Sequence, residues 1–208
     1  FDIESPGVNS SMATNKFQVT GGNSKAPFTL KLHRGDGMVL LAMNWRNGMP
    51  PRNFVGFSIE FREPGADQFW PVKNSIGFPG QRKTFNDPPI DSTRAPFQKF
   101  RWVHFPFNAE KKGEFTYRVT PRFMDAQGTL SRGEFQTASI ALMRETIAGK
   151  LNVAFTRGFV SSQAFVNNFA PDAKLSTLLP DDNKKGLQFK PTHKNAAKAY
   201  AWMGFEAR

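Results

Sequence analysis

Apolar and polar residues alternate along much of this chain. Phe28-Thr29-Leu30-Lys31-Leu32-His33 repeats with a period of two, the mark of a strand with one wet face. Met38 to Trp45 is apolar on both faces and predicts a central, buried strand. Val55, Phe57, Ile59 and Phe61 alternate with Gly56, Ser58, Glu60 and Arg62. Phe115, Tyr117, Val119 and Phe123 alternate in the same way with Thr116, Arg118, Thr120 and Arg122. Phe97 to Phe107 has strand composition, and Phe135 to Met143 supplies a last strand. Turn-forming residues separate these runs at Gly35-Asp36-Gly37, Glu63 to Asp67 and Asp125 to Gly128. Six or seven strands with no helical pattern between them predict a mainly β fold, an antiparallel sandwich or barrel.

Two regions break the rhythm. Residues 74 to 96 are rich in Gly, Pro, Asn and Asp and too long for a tight turn. They predict a functional or mobile loop carrying Arg82, Lys83 and Arg94. After Lys150 the character changes. Ser161-Ser162-Gln163 is a candidate cap for a short helix through Ala164, Phe165, Val166 and Phe169. Thr192 to Arg208 reads as a helix, with Ala196, Tyr200 and Met203 on one stripe. That pattern runs to the last residue, so the expectation is a piece of a longer protein. Residues 1–11 (FDIESPGVNSS) read as a vector-derived leader before Met12. The predicted division is a leader and disordered N-terminus over 1–27, a β domain over 28–147 and a mixed, partly helical segment over 148–208.

Composition narrows the partners. The net charge is +11, which favours acidic partners, nucleic acid before anionic membrane. The charge is spread out, with no block of like charges that would make a basic tail. No apolar run approaches the roughly 20 residues needed to span a bilayer. Cysteine is absent, which removes disulfides and thiolate chemistry and suits a reducing cytoplasm. The 22 Phe supply a core.

Two resemblances rest on particular strings. Trp45 at the end of an early apolar strand, and Gly113-Glu114-Phe115-Thr116-Tyr117-Arg118-Val119-Thr120 with an inward tyrosine, resemble a fibronectin type III sandwich of the immunoglobulin-like class, which implies a fibronectin-III-like domain over 28–147. Gly35 to Asn44, Ala95 to Trp102 and Ala154 to Phe165 resemble the N-terminal region of a bacterial group of phospholipase D-like proteins. Ala201 to Arg208 resembles the entry into that group's phospholipase D-like domain. That superfamily cleaves phosphodiesters with two copies of His-x-Lys-x(4)-Asp. Here His33, His104 and His193 are followed two places on by Gly35, Pro106 and Asn195, so none begins the motif. The resemblance therefore implies a non-catalytic front region and carries over no catalytic residue.

Other chemistry is sparse. The three histidines lie far apart without carboxylates at metal-ligand spacing, so no metal and no cofactor is expected. The strongest remaining signal is basic residues interleaved with rings: Lys99, Arg101, Arg118 and Arg122, with Arg157 beside Gly158. Such a face suits phosphates and stacked bases, although alternating rings on a strand more often form core. The expected function is an accessory module of a phospholipase D-like phosphodiesterase, for substrate positioning or self-association. The alternatives are a stand-alone nucleic-acid binder and a structural assembly subunit.

Overall fold

The structure, a computed structural model, describes residues 16–81 and 87–143 together with Ile147, Lys150 and Leu151. Residues 1–15, Arg82, Lys83, Arg157, His193 and the two helices expected after Lys150 lie outside the described residues. The rest of the expected N-terminal segment is not separate from the β domain: Gln18–Thr20 pairs with Lys31 to His33, so the domain begins before Phe28. The described residues are mainly β, without helix.

The first sheet orders its four strands β1-β2-β3-β8, namely Gln18–Thr20, Phe28–Gly35, Met38–Trp45 and Arg101–His104. The second is built on the long strand β9 (Glu114–Met124). One side of β9 takes β4 (Phe54–Arg62), which in turn pairs with β5 (Trp70–Pro71). The other side is shared by β10 (Leu130–Arg132) and β11 (Gln136–Ala141). A small ladder joins β6 (Lys73–Asn74) to β7 (Ile90–Asp91). All strand pairs are antiparallel, and the sheets curl into a half-barrel.

The predicted turns form where the chemistry calls for them. Gly37 takes φ 58°, and the tight turn sets β2 against β3 from Gly35↔Met38 to Phe28↔Trp45. Asp125 Oδ1 accepts from the backbone N–H of Gln127 and Thr129, and Gly128 follows at φ 82°. Strand β3 is central, but only Val39, Leu41 and Met43 are buried; Met38, Leu40 and Ala42 are half-buried. An antiparallel sheet turns one face to the core, so an all-apolar strand need not be buried on both.

One core joins the sheets. Phe28, Leu30, Leu32, Val39 and Leu41 come from the first; Phe57, Ile59, Phe115, Tyr117, Val119 and Ile140 come from the second. The rings of Phe28 and Phe57 meet across it at 4.9 Å. Each such side chain contributes roughly 1.5–3 kcal/mol when fully buried.

The strict alternation expected of β4 fails at its start. Phe54 pairs with Phe123 and Gly56 with Arg122, so Val55 is an extra residue in a bulge. A bulge reverses parity. Phe54, not Val55, therefore lies beside Phe57, at 5.0 Å between rings, and packs on Trp45 at 5.1 Å. Gly56 sits at φ 124°. A Cβ there would lie 2.5 Å from the Phe97 carbonyl oxygen. That closeness lets Phe57 and Phe97 exchange two backbone hydrogen bonds of 2.9 Å. Shortly afterwards Phe100 accepts from Met43 N at 2.8 Å, so the chain has crossed from the second sheet to the first.

The opposite seam is closed by a fully buried side chain, Gln136. Its Nε2 donates to the carbonyls of Asn23 (2.8 Å) and Phe28 (3.0 Å), and its Oε1 accepts from Asn23 N (3.0 Å). The glycine-rich stretch from 74 to 96 is also tied down where it is described. Ser92 Oγ donates to Ile59 O (2.7 Å) and accepts from Ile59 N (3.0 Å). Lys73 pairs with Asp91.

Gly56→Ala should destabilise the fold by about 2 kcal/mol or more, since it combines a positive φ with a backbone clash. Gly48→Ala, at φ 92° but in open space, should lose only about 1 kcal/mol. Urea unfolding of the two variants checks this, and equal losses would remove the crossing argument.

Candidate functional site

The cationic residues singled out from the sequence divide into two groups. Arg118 and Arg122 lie four apart on β9 and share the face opposite the core residues Phe115, Tyr117 and Val119. Arg118 is held in a fork by Glu60, Nε to Oε2 at 3.1 Å and Nη2 to Oε1 at 2.9 Å. Glu60 is its cross-strand partner, and the guanidinium also lies 4.3 Å from the centre of the Phe69 ring. Arg122 is only 6% exposed. Its Nε finds no hydrogen-bond partner among the described residues. Burial first, then the nearby Arg132, lowers its pKa, while Glu60 acts the other way. Strand β9 is flanked on both sides, so its outer face is crowded: Thr116 and Thr120 are buried there too.

Lys99 and Arg101 behave differently. Both are exposed, and neither joins an ion pair among the described residues. They stand at the entry to β8, immediately after the crossing at Phe97. Beside them a cleft of about 440 Å³ opens between this arm and the segment after β6. A volume of that order lies within the roughly 300–1,000 Å³ of ordinary ligand sites. Phe78, Phe97 and Trp102 supply rings to its wall, and Asn74, Gln98 and Lys99 supply polar groups. The Phe97 and Trp102 rings lie 3.8 Å apart. Asn74 serves the frame: its Nδ2 donates to Ala95 O at 3.0 Å and its Oδ1 accepts from Ile76 N at 3.0 Å.

The sequence pattern flagged Lys99, Arg101 and Trp102 through the interleaving of bases and rings. It did not flag Asn74, Phe78 or Gln98. Their only local signal is a long stretch of turn residues, which does not say what they face.

Of the two described histidines, neither faces the cleft. His33 is half-buried on β2. His104 Nδ1 shares a 3.0 Å hydrogen bond with the Tyr117 hydroxyl, and its ring lies 4.5 Å from that of Phe61. Burial lowers the His104 pKa to about 3. Burial, and then the Glu63 carboxylate, raises that of Tyr117. Both groups are therefore neutral at pH 7 and act as a polar link between the two sheets, buried at Tyr117 and half-buried at His104. No group of three His, Asp or Glu able to hold a metal comes together among the described residues.

No protein-family model matches the chain, and no curated protein or solved structure matches it.

The His104 link predicts a pH dependence. An unfolded histidine titrates near 6.5, so between that value and about 3 the unfolded chain holds a proton that the fold excludes. Stability is full above about pH 6.5 and falls as the pH drops. The loss by pH 5 should be about 1–2 kcal/mol. His104→Gln should flatten this part of the profile in urea unfolding followed across pH. An unchanged slope would show that His104 is not its source.

Proposed function

We propose that residues 28–147 form a fibronectin-III-like sandwich. It serves as a non-catalytic accessory module of a phospholipase D-like phosphodiesterase, positioning substrate or holding an assembly together. The observation that carries the reading is the strand order. The run β2-β3-β8 faces β5-β4-β9-β11 across one core, the order expected of the A-B-E and C′-C-F-G sheets of that class. Tyr117 is fully buried on the strand that would be F, as the resemblance requires.

Two of the strings that suggested the phospholipase D-like group fall on framework; the other two lie outside the described residues. Gly35 to Asn44 covers the turn and most of β3, and Ala95 to Trp102 covers the crossing and the start of β8. They shape the β domain and bear no acid–base pair. The nucleic-acid alternative loses support, because Arg118 is engaged by Glu60 and Arg122 is buried. Of the cations it relied on, Lys99 and Arg101 alone are exposed among the described residues, a short track for a phosphate backbone.

The purified chain should hydrolyse neither bis(p-nitrophenyl) phosphate nor a fluorescent phosphatidylcholine. The reading frame beyond Arg208 should encode two His-x-Lys-x(4)-Asp copies. Phosphodiester turnover that His33→Ala abolishes would overturn the non-catalytic reading, and a stop codon directly after Arg208 would overturn the accessory one.

A further inference from the structure

The edge of the first sheet at β8 has features that the accessory reading does not use. Strand β8 pairs with β3 on one side, and no strand among the described residues pairs with the other. Hydrogen-bonded pairs alternate along an antiparallel ladder. Met43 N donates to Phe100 O, which makes Phe100, Trp102 and His104 the residues bonded to β3. Arg101 and Val103 therefore turn their N–H and C=O groups outward. Two of the other open ends are treated differently. At the β1 end the chain is stitched to β11 through Gln136 and Asn23. Strand β5 carries Pro71, which has no N–H to offer.

Three further features gather at this edge. Phe100 and Val103 are each 39% exposed. Lys99 and Arg101 stand free in solvent beside them. The cleft opens next to the same arm, with Trp102 and Lys99 in its wall and Phe78 opposite. An edge with outward backbone groups, a cationic flank and an adjoining ring-lined cleft matches strand addition by an extended peptide. The backbone supplies hydrogen bonds and the cleft takes an alternate side chain.

Charge decides the occupant. A second copy paired here would gather two Lys99 and two Arg101 at one sheet edge, and like charges brought together repel. The chain's own segment from Lys150 onward is net basic, with nine Lys/Arg against four Asp/Glu, and so lacks the acidic character that Lys99 and Arg101 favour. We propose that β8 accepts an added strand from a partner protein: an acidic, extended segment with an apolar side chain seated in the cleft. This deepens the accessory-module reading above by naming a partner class for its assembly role.

The test uses the full 208-residue chain. The probe is the blocked peptide acetyl-Glu-Phe-Glu-Val-Glu-Phe-Glu-amide, followed by amide NMR at low salt. Binding should shift the amides of residues 99–104 and protect Val103 N–H from exchange. Lys99→Glu with Arg101→Glu should weaken binding about tenfold or more. Val103→Pro removes an outward N–H and leaves the bonds to β3 intact, so it should abolish binding while the Tyr117 and Phe57 resonances stay in place. Undiminished binding by Val103→Pro would refute strand addition. Equal binding of polyglutamate would reduce the surface to bulk charge, and preference for a single-stranded oligothymidylate would make it a nucleic-acid surface; either overturns the proposal. So does no binding at all. None of these failures bears on the accessory reading, which hydrolysis and the downstream reading frame decide.

Discussion

The reciprocal pair of hydrogen bonds between Phe57 and Phe97 is the contact on which the rest depends. It holds the chain against β4 at the point where it leaves the second sheet for the first. Backbones approach that closely only because residue 56 has no side chain. The bulge at Val55 places Gly56 opposite the Phe97 carbonyl and sets Phe54 beside Phe57. From this crossing follow the placement of β8 at the sheet edge, the exposure of Lys99 and Arg101, and the cleft. Phe97 is itself buried and stacks on Trp102, so the same contact braces one wall of that cleft.

Elsewhere, buried polar groups hold the frame together. Gln136 ties β11 to the turn before β2, Ser92 stands in as a ladder partner for Ile59, and Asn74 bonds the backbone of Ala95. His104 and Tyr117 join the two sheets through the core. A buried polar group left without its partner costs about 1–3 kcal/mol, so each satisfied network favours one arrangement over its neighbours. The functional consequence is indirect. Among the described residues, His104, Tyr117 and Arg118 are engaged in the frame, while Lys99 and Arg101 on the β8 arm are exposed.

The division among the basic residues follows from strand position. Arg118 and Arg122 lie on the long strand at the middle of its sheet, where neighbouring strands reach over them. Glu60 stands directly across from Arg118, and a bidentate carboxylate–guanidinium pair is the expected outcome of that register. Lys99 and Arg101 lie where a strand begins at a sheet edge, and among the described residues nothing covers them. All four looked alike in the alternating pattern, because period two assigns a face and says nothing of what covers it.

Local chemistry sufficed for much of this protein. Period-two alternation marked the main strands, because side chains on a pleated backbone point to opposite faces in turn. Gly37 and Asp125 to Gly128 marked their turns through conformations that few other residues adopt. The inward tyrosine of β9 and the mainly β class were legible for the same reason. Tertiary structure alone decided the parity of β4, because a bulge is set by the partner strand. It also decided the bond from His104 to Tyr117, the burial of Arg122 and the assembly of the cleft. Each of these joins residues from separate strands, and their distances depend on how two sheets meet around one core.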